Sequence, residues 1–255
     1  MITIKSKQEI STMKKAGEIV ALTHERLKEI ISPGITTIEL DRIAEECIRK
    51  NFATPSFKGY KGVRGSIDFP ACICASINNE VIHGIPGKRV LKEGDIISID
   101  IGACFNGYHG DAARTLPVGK ISEDAENLIK VTKQSFFEGM KNAVKGNRII
   151  NISSAIEDYI KENGYSVIRE YVGHGIGKDM HELPQIPNYS VKEKGPRLEE
   201  GMTLAIEPMV NQGRRFVKVL NNKWTVVTAD GTLSAHYENT IVITDGEPEI
   251  LTIFN

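Results

Sequence analysis

Two distant stretches of the chain share a pattern that ends in a carboxylate. Residues 93–100 read EGDIISID and residues 200–207 read EGMTLAIE, so each Glu-Gly pair is followed by an acid six positions after the glycine. A second match lies downstream, because His109-Gly110-Asp111 resembles His236-Tyr237-Glu238. Four carboxylates at matching points of a duplicated scaffold predict a site for two metal ions where two half-domains meet.

Both stretches have the spacing of β-strands that carry their acid on one face. Side chains alternate faces along a strand, so Ser98 lies on the face of Asp100 and Ala205 on the face of Glu207. The opposite face of the first strand is apolar and is formed by Ile97, Ile99 and Ile101. One acid in such a strand is more often an exposed polar residue than a ligand. Four acids in a matched repeat favour a site.

The duplication extends upstream of the strands. Residues 34–51 resemble residues 146–163 at a constant offset, and Glu45 recurs as Glu157. Each half therefore contains the same order of helix, helix and strands. The repeat predicts two pseudo-symmetric lobes, with the boundary near residue 120, so the halves are roughly 1–120 and 121–255.

A longer helix is predicted before each repeated segment. Apolar residues recur at three- and four-residue spacing over residues 6–31 and 122–144. Pro33-Gly34 ends the first long helix and Gly146 ends the second.

Composition limits the class of protein. With 255 residues and 40% hydrophobic content, the chain can form one large domain or two fused small ones. A net charge of −1 argues against specific nucleic-acid binding or an anionic-membrane partner. No apolar run reaches the ~18 residues of a membrane helix, and residues 1–20 lack a signal-peptide core. Four cysteines without framework or zinc-finger spacing favour reduced thiols in the cytoplasm.

Two histidines lie in glycine-rich segments. His174 lies in YVGHGIGKDMHELP and His83 in VIHGIPG, where glycines permit a close approach of the backbone. One histidine beside glycines is more often structural than functional, but two such segments together with four carboxylates favour a functional role. His24, in the middle of a predicted helix, is predicted to be a surface residue.

The four carboxylates and one imidazole form a hard ligand set. It suits paired divalent ions such as Mn(II), Fe(II), Co(II) or Zn(II) better than a thiolate-rich structural zinc site. Two ions roughly 3.5–4 Å apart share a water molecule and lower its pKa towards neutrality. They also polarise a carbonyl and bind a free amine. This chemistry is hydrolytic, and it points to an aminopeptidase.

At these residues the chain resembles the type I methionine aminopeptidases, which have the pita-bread fold. The resemblance covers roughly residues 1–252. Its most specific segments are VIHGIPG, ISIDIGACFNGYHGDAART, EYVGHGIGKDMHELPQI, GMTLAIEPMV, WTVVTADGTLSAHYENTIVIT and EILT. It implies a single catalytic domain over 1–255, of mixed α/β (α+β) class, with a curved, mainly antiparallel sheet covered by helices. The metal ligands that it implies are Asp100, Asp111, His174, Glu207 and Glu238.

The resemblance also implies roles for residues around the ions. His181 binds substrate and stabilises the tetrahedral intermediate, and His83 contacts the scissile peptide unit from the opposite lobe. Glu207 acts as both ligand and general base; a ligand-only role is the alternative. The implied methionine pocket is lined by Cys74, Trp224, Tyr60 and Phe69. A monovalent-cation site is implied at Asn78, Glu80 and Ser234.

The implied activity is removal of the initiator methionine from nascent proteins with a small second residue, by a metal-bridging hydroxide that attacks the first peptide bond. The expected cofactors are two divalent ions per chain (Co, Mn, Fe or Zn) and one monovalent cation. The expected partner is the N-terminal peptide of a nascent protein, with transient ribosome contact, in a cytoplasmic monomer without membrane or specific nucleic-acid binding. Two alternatives stay open. One is an Xaa-Pro aminopeptidase, and the other is a non-catalytic relative that lost its metals, against which the presence of every ligand argues.

Overall fold

The computed structural model describes residues 1–62 and 67–253, and in these ranges the chain forms four helices and fifteen strands. The helices are α1 (Lys7–Ile30), α2 (Thr37–Lys50), α3 (Glu123–Met140) and α4 (Ile149–Glu162). The strands of the first half are β1 (Thr54–Pro55), β2 (Ile73–Ile77), β3 (Glu80–Ile82), β4 (Ile96–Phe105) and β5 (Tyr108–Pro117). Those of the second half are β6 (Ser166–Val167), β7 (Gly173–Gly175), β8 (Glu182–Ile186), β9 (Thr203–Ile206), β10 (Met209–Asn211), β11 (Val217–Val219), β12 (Val226–Thr228), β13 (Ser234–His236), β14 (Asn239–Val242) and β15 (Glu249–Ile250). Of the described helices, none has the length and apolar character needed to cross a membrane.

Side-chain caps set the start of three helices. Ser6 and Thr36 each accept a hydrogen bond from the backbone of the third residue of the helix, and the glutamates there, Glu9 and Glu39, bond back to the cap. At α3 the cap is the Ser122 side chain alone, which accepts a hydrogen bond from the Ala125 N–H. These caps satisfy backbone N–H groups that have no partner within the helix.

The two halves repeat the same turn after the long helix. Gly34 donates its N–H to the Leu91 carbonyl at 2.9 Å, and Gly146 donates to the Leu198 carbonyl at the same distance. Both glycines have positive φ, 102° and 93°, which is costly for other residues. Both glycines lie in the turn that follows the helix, and neither is the residue at which the helix ends. The first long helix ends at Ile30, and α3 ends at Met140, four residues before the predicted end at 144.

The strand pairs of the described residues are all antiparallel, which confirms the predicted mixed α/β class with a mainly antiparallel sheet. In the first half, β4 pairs with β1, β2 and β5. In the second half, five strands follow the order β15-β14-β9-β7-β8. Two smaller sheets have the orders β13-β10-β6 and β11-β12-β3, and the latter joins strands of both halves.

The apolar faces of the site-bearing strands lie against helices, as predicted. Ile97, Ile99 and Ile101 are fully buried in one cluster with residues of α1 and α2. Leu204 and Ile206 are buried in a second cluster with residues of α3 and α4. Burying each such side chain stabilises the fold by roughly 1.5–3 kcal/mol. This packing holds the strands, and it leaves their opposite faces free for polar groups.

The prediction that His24 is a surface residue is wrong. Its side chain is buried under the sheet, and its Nε2 lies 2.8 Å from the Ala112 carbonyl oxygen. Burial lowers the pKa of His24 to about 3, so the ring is neutral. The helical spacing contained the signal, since His24 continues the apolar stripe of Val20 and Leu27.

Candidate active site

The predicted metal ligands come from neighbouring strands of each half. Asp100 lies on β4 and Asp111 on its hairpin partner β5. In the second half, His174 on β7 pairs with β9, and Glu207 directly follows β9. Glu238 lies between β13 and β14. Each half thus contributes acids from adjacent backbone segments.

Backbone hydrogen bonds join the two halves at these ligands. Glu238 donates its N–H to the Ala113 carbonyl at 3.0 Å. The Asp111 N–H donates to Thr240 Oγ1 at 3.0 Å, and the same hydroxyl donates to the Asp111 carbonyl at 2.9 Å. The backbones of Asp111 and Glu238 are therefore held relative to each other by a main-chain hydrogen bond and by the buried hydroxyl of Thr240.

Several oxygens of the buried acidic cluster lack a hydrogen-bond donor. Asp100 Oδ1, Asp111 Oδ1 and Glu238 Oε1 have no hydrogen-bond partner. Burial raises the pKa of Asp100 to about 7. Burial and the neighbouring acids raise the pKa of the other carboxyls well above their usual range, namely Asp111, Glu207 and Glu238. Unpaired buried carboxylates are unfavourable unless a cation compensates them, so the orphaned oxygens fit hard divalent ions.

His174 is held in the tautomer that a metal ligand requires. Its Nδ1 donates to the Gly175 carbonyl at 2.8 Å, so the Nε2 lone pair faces the acids, 3.5 Å from Glu207 Oε1. Burial lowers the pKa of His174 to about 3. A neutral imidazole with a free Nε2 is the form that binds metals.

The glycines beside His174 permit this arrangement. A Cβ added to Gly173 or Gly175 would lie 2.4 or 2.2 Å from a backbone oxygen of a neighbouring segment. Such distances are well inside van der Waals contact, so only glycine lets β7 fit here. The glycine-rich pattern thus reflects a close backbone approach, as the sequence indicated.

One pocket of about 270 Å³ contains all the residues predicted as ligands, active-site histidines or methionine-pocket residues. The lining consists of Phe57, Tyr60, Phe69, Cys74, His83, Asp100, Asp111, His174, His181, Glu207, Trp224 and Glu238. Phe57 was missed, because it lies in the loop-like stretch 55–71, where no periodicity or motif distinguishes it. Its ring packs against Gly102 of β4, where a Cβ would lie 2.9 Å from the ring.

Aromatic rings form the apolar part of this pocket. Phe69 packs edge-on against Trp224 with ring centroids 5.1 Å apart, and Trp224 Nε1 donates to the Ile67 carbonyl at 2.9 Å. His83 lies edge-on between Trp224 and Tyr171, at 6.1 and 5.8 Å. These contacts fix the rings in place, so the pocket has a defined shape before substrate arrives.

Cys74 forms the floor of the pocket beside the acids. It pairs with Asp100 across β2 and β4 and is almost fully buried. Burial and the nearby carboxylates raise the pKa of the Cys74 thiol well above its ordinary value. The thiol therefore stays protonated and acts as a small apolar surface. All four cysteines of the chain are free thiols, as predicted.

His181 lies at the pocket mouth and is oriented by Tyr60. The Tyr60 hydroxyl lies 2.7 Å from His181 Nδ1. A phenol is the better donor of the pair, so Tyr60 donates and His181 carries its proton on Nε2. The His181 ring lies 4.3 Å from the His174 ring. The Nε2–H group is therefore available to an oxygen of a bound substrate.

The residues of the predicted monovalent-cation site lie outside this pocket. Ser234 donates its N–H to the Asn78 carbonyl at 2.9 Å, so these two residues are neighbours. The Glu80 carboxylate accepts the Ile77 N–H at 2.8 Å and also pairs with Arg89. This cation site stays a prediction.

The raised pKa values predict a pH-dependent stability for the metal-free protein. Folding raises the pKa of such an acid above its value in the unfolded chain. Its contribution to the stability of the folded state is therefore fully present below the unfolded pKa, and it is lost as the pH rises through the folded pKa. For Asp100 the loss occurs between about pH 4 and pH 7. We expect the Tm of chelated protein to fall by roughly 5 °C or more over that window. Thermal melts at several pH values measure it.

Excess divalent metal should remove most of this slope, and Asp100→Asn should flatten it without metal. Asp158→Asn, on the exposed face of α4, is the matched control and should leave the slope unchanged. Identical slopes for the metal-free wild type and Asp100→Asn would contradict the assignment.

The chain matches the family model of metallopeptidase family M24 over residues 11–245. It is 58% identical over 252 residues to methionine aminopeptidase 1 of Bacillus subtilis (strain 168), with 99% of both chains covered. The crystal structure of a methionine aminopeptidase from Thermotoga maritima matches it with a TM-score of 0.95 and 44% identity, over 99% of this chain and 100% of that one. An Xaa-Pro dipeptidase from Bacillus anthracis matches with a TM-score of 0.76 and 26% identity, over 98% of this chain and 61% of that one.

Proposed function

The chain belongs to metallopeptidase family M24, and from that membership we propose that its buried acidic centre holds two divalent metal ions. The chain is a hydrolase of the methionine aminopeptidase type, and it removes the N-terminal methionine of proteins in a metal-dependent reaction. The residues proposed to hold the ions are Asp100, Asp111, His174, Glu207 and Glu238.

One observation supports this assignment most strongly. Acids from both halves and a set of packed aromatic rings line one pocket of about 270 Å³. Carboxylates with unpaired oxygens therefore lie next to an apolar surface. A substrate in this pocket would place a side chain among the rings and its first peptide bond beside the acids. An exopeptidase for an apolar N-terminal residue needs this combination.

When bound, the divalent ions would lower the pKa of a water molecule and polarise the scissile carbonyl. Glu207 is placed to accept the proton of that water, because its carboxylate lines the pocket together with the other proposed ligands. It would later pass the proton to the leaving amine. A role for Glu207 as ligand alone is the alternative.

The two remaining histidines would act on the substrate. His181, with its proton on Nε2, would donate a hydrogen bond to the carbonyl oxygen as negative charge develops there. His83 lies across the pocket between two aromatic rings and would contact the same peptide unit from the other side. Burial lowers the pKa of His83 to about 4, so it too is neutral at pH 7.

The pocket predicts selectivity for methionine at the first position. Phe69, Trp224 and the Cys74 thiol give it an apolar, polarizable lining that suits an unbranched thioether. The second residue would lie beside the ions and the mouth residues Tyr60 and His181, which leaves space for small side chains only. We propose that Gly, Ala, Ser, Cys, Thr, Pro and Val are accepted there.

A peptide panel tests this specificity. We expect Met-Ala-Ser to be cleaved at least about tenfold faster than Leu-Ala-Ser, because a branched residue misfits a pocket shaped for methionine. Met-Lys-Ser should be cleaved far more slowly than either. Comparing kcat/KM for the three peptides measures it.

An Ala-Pro peptide in the same panel separates this enzyme from an Xaa-Pro aminopeptidase, which would prefer it. Equal rates for Met-Ala-Ser and Leu-Ala-Ser would remove the selectivity for methionine and leave a dinuclear aminopeptidase.

The identity of the ions is tested by reconstitution. Metal-free protein would be loaded in turn with Mn(II), Fe(II), Co(II) and Zn(II), and the bound metal counted alongside activity. Two equivalents per chain support the proposal. One equivalent at full activity would contradict the paired-ion centre. Affinity follows the ligand chemistry and not the cellular supply, so activity must be measured for each metal.

We propose a cytoplasmic monomer that forms a single catalytic domain over residues 1–255. Both halves of the chain contribute to one pocket, which supports a single domain, and the four free thiols support a reducing compartment. Transient ribosome contact is also proposed. Residues 211–224 support it, because this segment near the pocket contains four cationic side chains and no acidic one. Lys218 and Lys223 of this segment are exposed.

A further inference from the structure

A fourth imidazole faces the acidic centre, but it does not line the pocket. His236 is 2% exposed, and its Nε2 has no hydrogen-bond partner. That nitrogen lies 3.9 Å from Glu207 Oε2 and 3.9 Å from Glu238 Oε2. A buried polar atom without a partner is uncommon in folded proteins, so its position beside two proposed ligands calls for an explanation.

The backbone holds His236 firmly in this place. Its N–H donates to Thr115 Oγ1 at 2.9 Å, and the same hydroxyl donates to the His236 carbonyl at 2.9 Å. Ser98 Oγ lies 2.8 Å from Thr115 Oγ1, and this hydrogen bond holds the Thr115 hydroxyl in place. On its other side β13 pairs with β10, where His236 is opposite Met209. The ring therefore approaches the acids from a fixed strand.

Glu207 lies between two imidazoles. Its Oε1 faces His174 Nε2 at 3.5 Å, and its Oε2 faces His236 Nε2 at 3.9 Å. A carboxylate has two oxygens, and a ligand that binds an ion through one of them leaves the other free. Outer hydrogen bonds to that free oxygen fix the orientation of the ligand and tune its basicity.

We propose that His236 is a positioning residue whose Nε2–H donates to the outward-facing oxygens of Glu207 and Glu238. This inference rests on the proposed metal centre. The 3.9 Å distances are longer than a hydrogen bond, and such contacts in a ligand-free site commonly tighten when the site is filled. His236 makes no contact with substrate in this role; it acts through the two glutamates.

Direct coordination is the competing role for His236. Its ring and the carboxylates of Glu207 and Glu238 offer ligand atoms within 4.8 Å of one another. The arrangement favours a donor instead, because Asp100, Asp111 and His174 line the pocket, whereas His236 is not among its lining residues. An ion on the His236 side would have only these three ligands and would compete for both glutamates.

Two substitutions separate these roles. His236→Ala removes the N–H, and we expect it to weaken Co(II) affinity by about 10–100-fold, the usual effect of losing an outer-shell partner. His236→Gln keeps an N–H donor on a side chain of similar reach, and we expect affinity within about threefold of wild type. Competition with a chelating dye measures affinity, and the visible absorption of bound Co(II) reports its coordination.

A matched control accounts for simple loss of packing. Val210→Ala shortens a buried side chain on β10, the neighbouring strand, and carries no polar atom towards the acids. We expect it to lower Tm but to leave Co(II) affinity within about threefold. A larger loss of affinity in this control would assign the effect of His236→Ala to packing and overturn the inference.

The remaining outcomes are equally decisive. Unchanged affinity in His236→Ala would overturn the inference. An altered Co(II) spectrum in His236→Gln would make His236 a ligand and also overturn it. If the wild-type protein itself fails to bind two Co(II) ions, the proposed metal centre fails, and that result is separate from any result on His236.

Discussion

Chelation of divalent metal is expected to abolish cleavage of Met-Ala-Ser, and Asp111→Asn is expected to prevent its full recovery when metal is returned. The Asp111 carboxylate is buried with an unpaired oxygen and adjoins Asp100 and Glu238, so an amide there removes a charge that no neighbour replaces. We expect metal affinity to fall at least about 100-fold, more than for an outer-shell change. Metal content after dialysis and kcat/KM after reconstitution measure the effect.

Asp158→Asn is again the matched control, because it makes the same chemical change on the exposed face of α4. It should load metal and cleave peptide like the wild type. Full turnover by thoroughly demetallated protein would contradict a metal-dependent reaction. Normal metal content in Asp111→Asn would show that this residue is not a ligand.

His181→Ala is expected to lower kcat by about 10²–10³-fold, the scale of losing one donor to a developing oxyanion. Metal content should be unchanged, because His181 lies at the pocket mouth and its Nδ1 is engaged by Tyr60. Tyr60→Phe keeps the ring and removes the hydroxyl that fixes the tautomer, so a smaller loss of kcat is expected. Steady-state kinetics with metal analysis of each variant measures both.

A fall in metal content in His181→Ala would make this histidine a ligand. Equal kcat in the wild type and His181→Ala would remove its role in stabilising the intermediate. Tyr60→Phe adds a further check. If it raised KM alone and left kcat unchanged, Tyr60 would act as a pocket wall without orienting His181.

Local periodicity was sufficient to predict the strands that carry the acids. The alternation in IISIDI placed Asp100 opposite a fully apolar face, and Ile97 and Ile99 are indeed buried under helices. The matched spacing placed Glu207 at the equivalent point of the second half. Such inferences succeed because burial on one face determines register and therefore determines what lies on the other face.

Contacts between distant segments could not be predicted in this way. The bond from Tyr60 to His181 joins residues 121 positions apart, and neither residue's neighbours indicate the other. Phe57 reaches the pocket from a loop without periodicity. The sequence indicated His236 only through the match of its tripeptide to that of His109. The two rings nevertheless have different surroundings. His109 Nδ1 lies 2.8 Å from Ser56 Oγ, whereas His236 Nε2 is unpaired.

The bonds between Asp111 and Thr240 have a consequence for how this enzyme matures. They join positions 129 residues apart. Bringing such distant positions together costs loop-closure entropy, so the proposed ligand set does not exist in the unfolded chain and ion binding is linked to folding. An ion that binds only the folded form lowers the population of unfolded chains. The protection of this protein from proteolysis should therefore rise with the concentration of free metal.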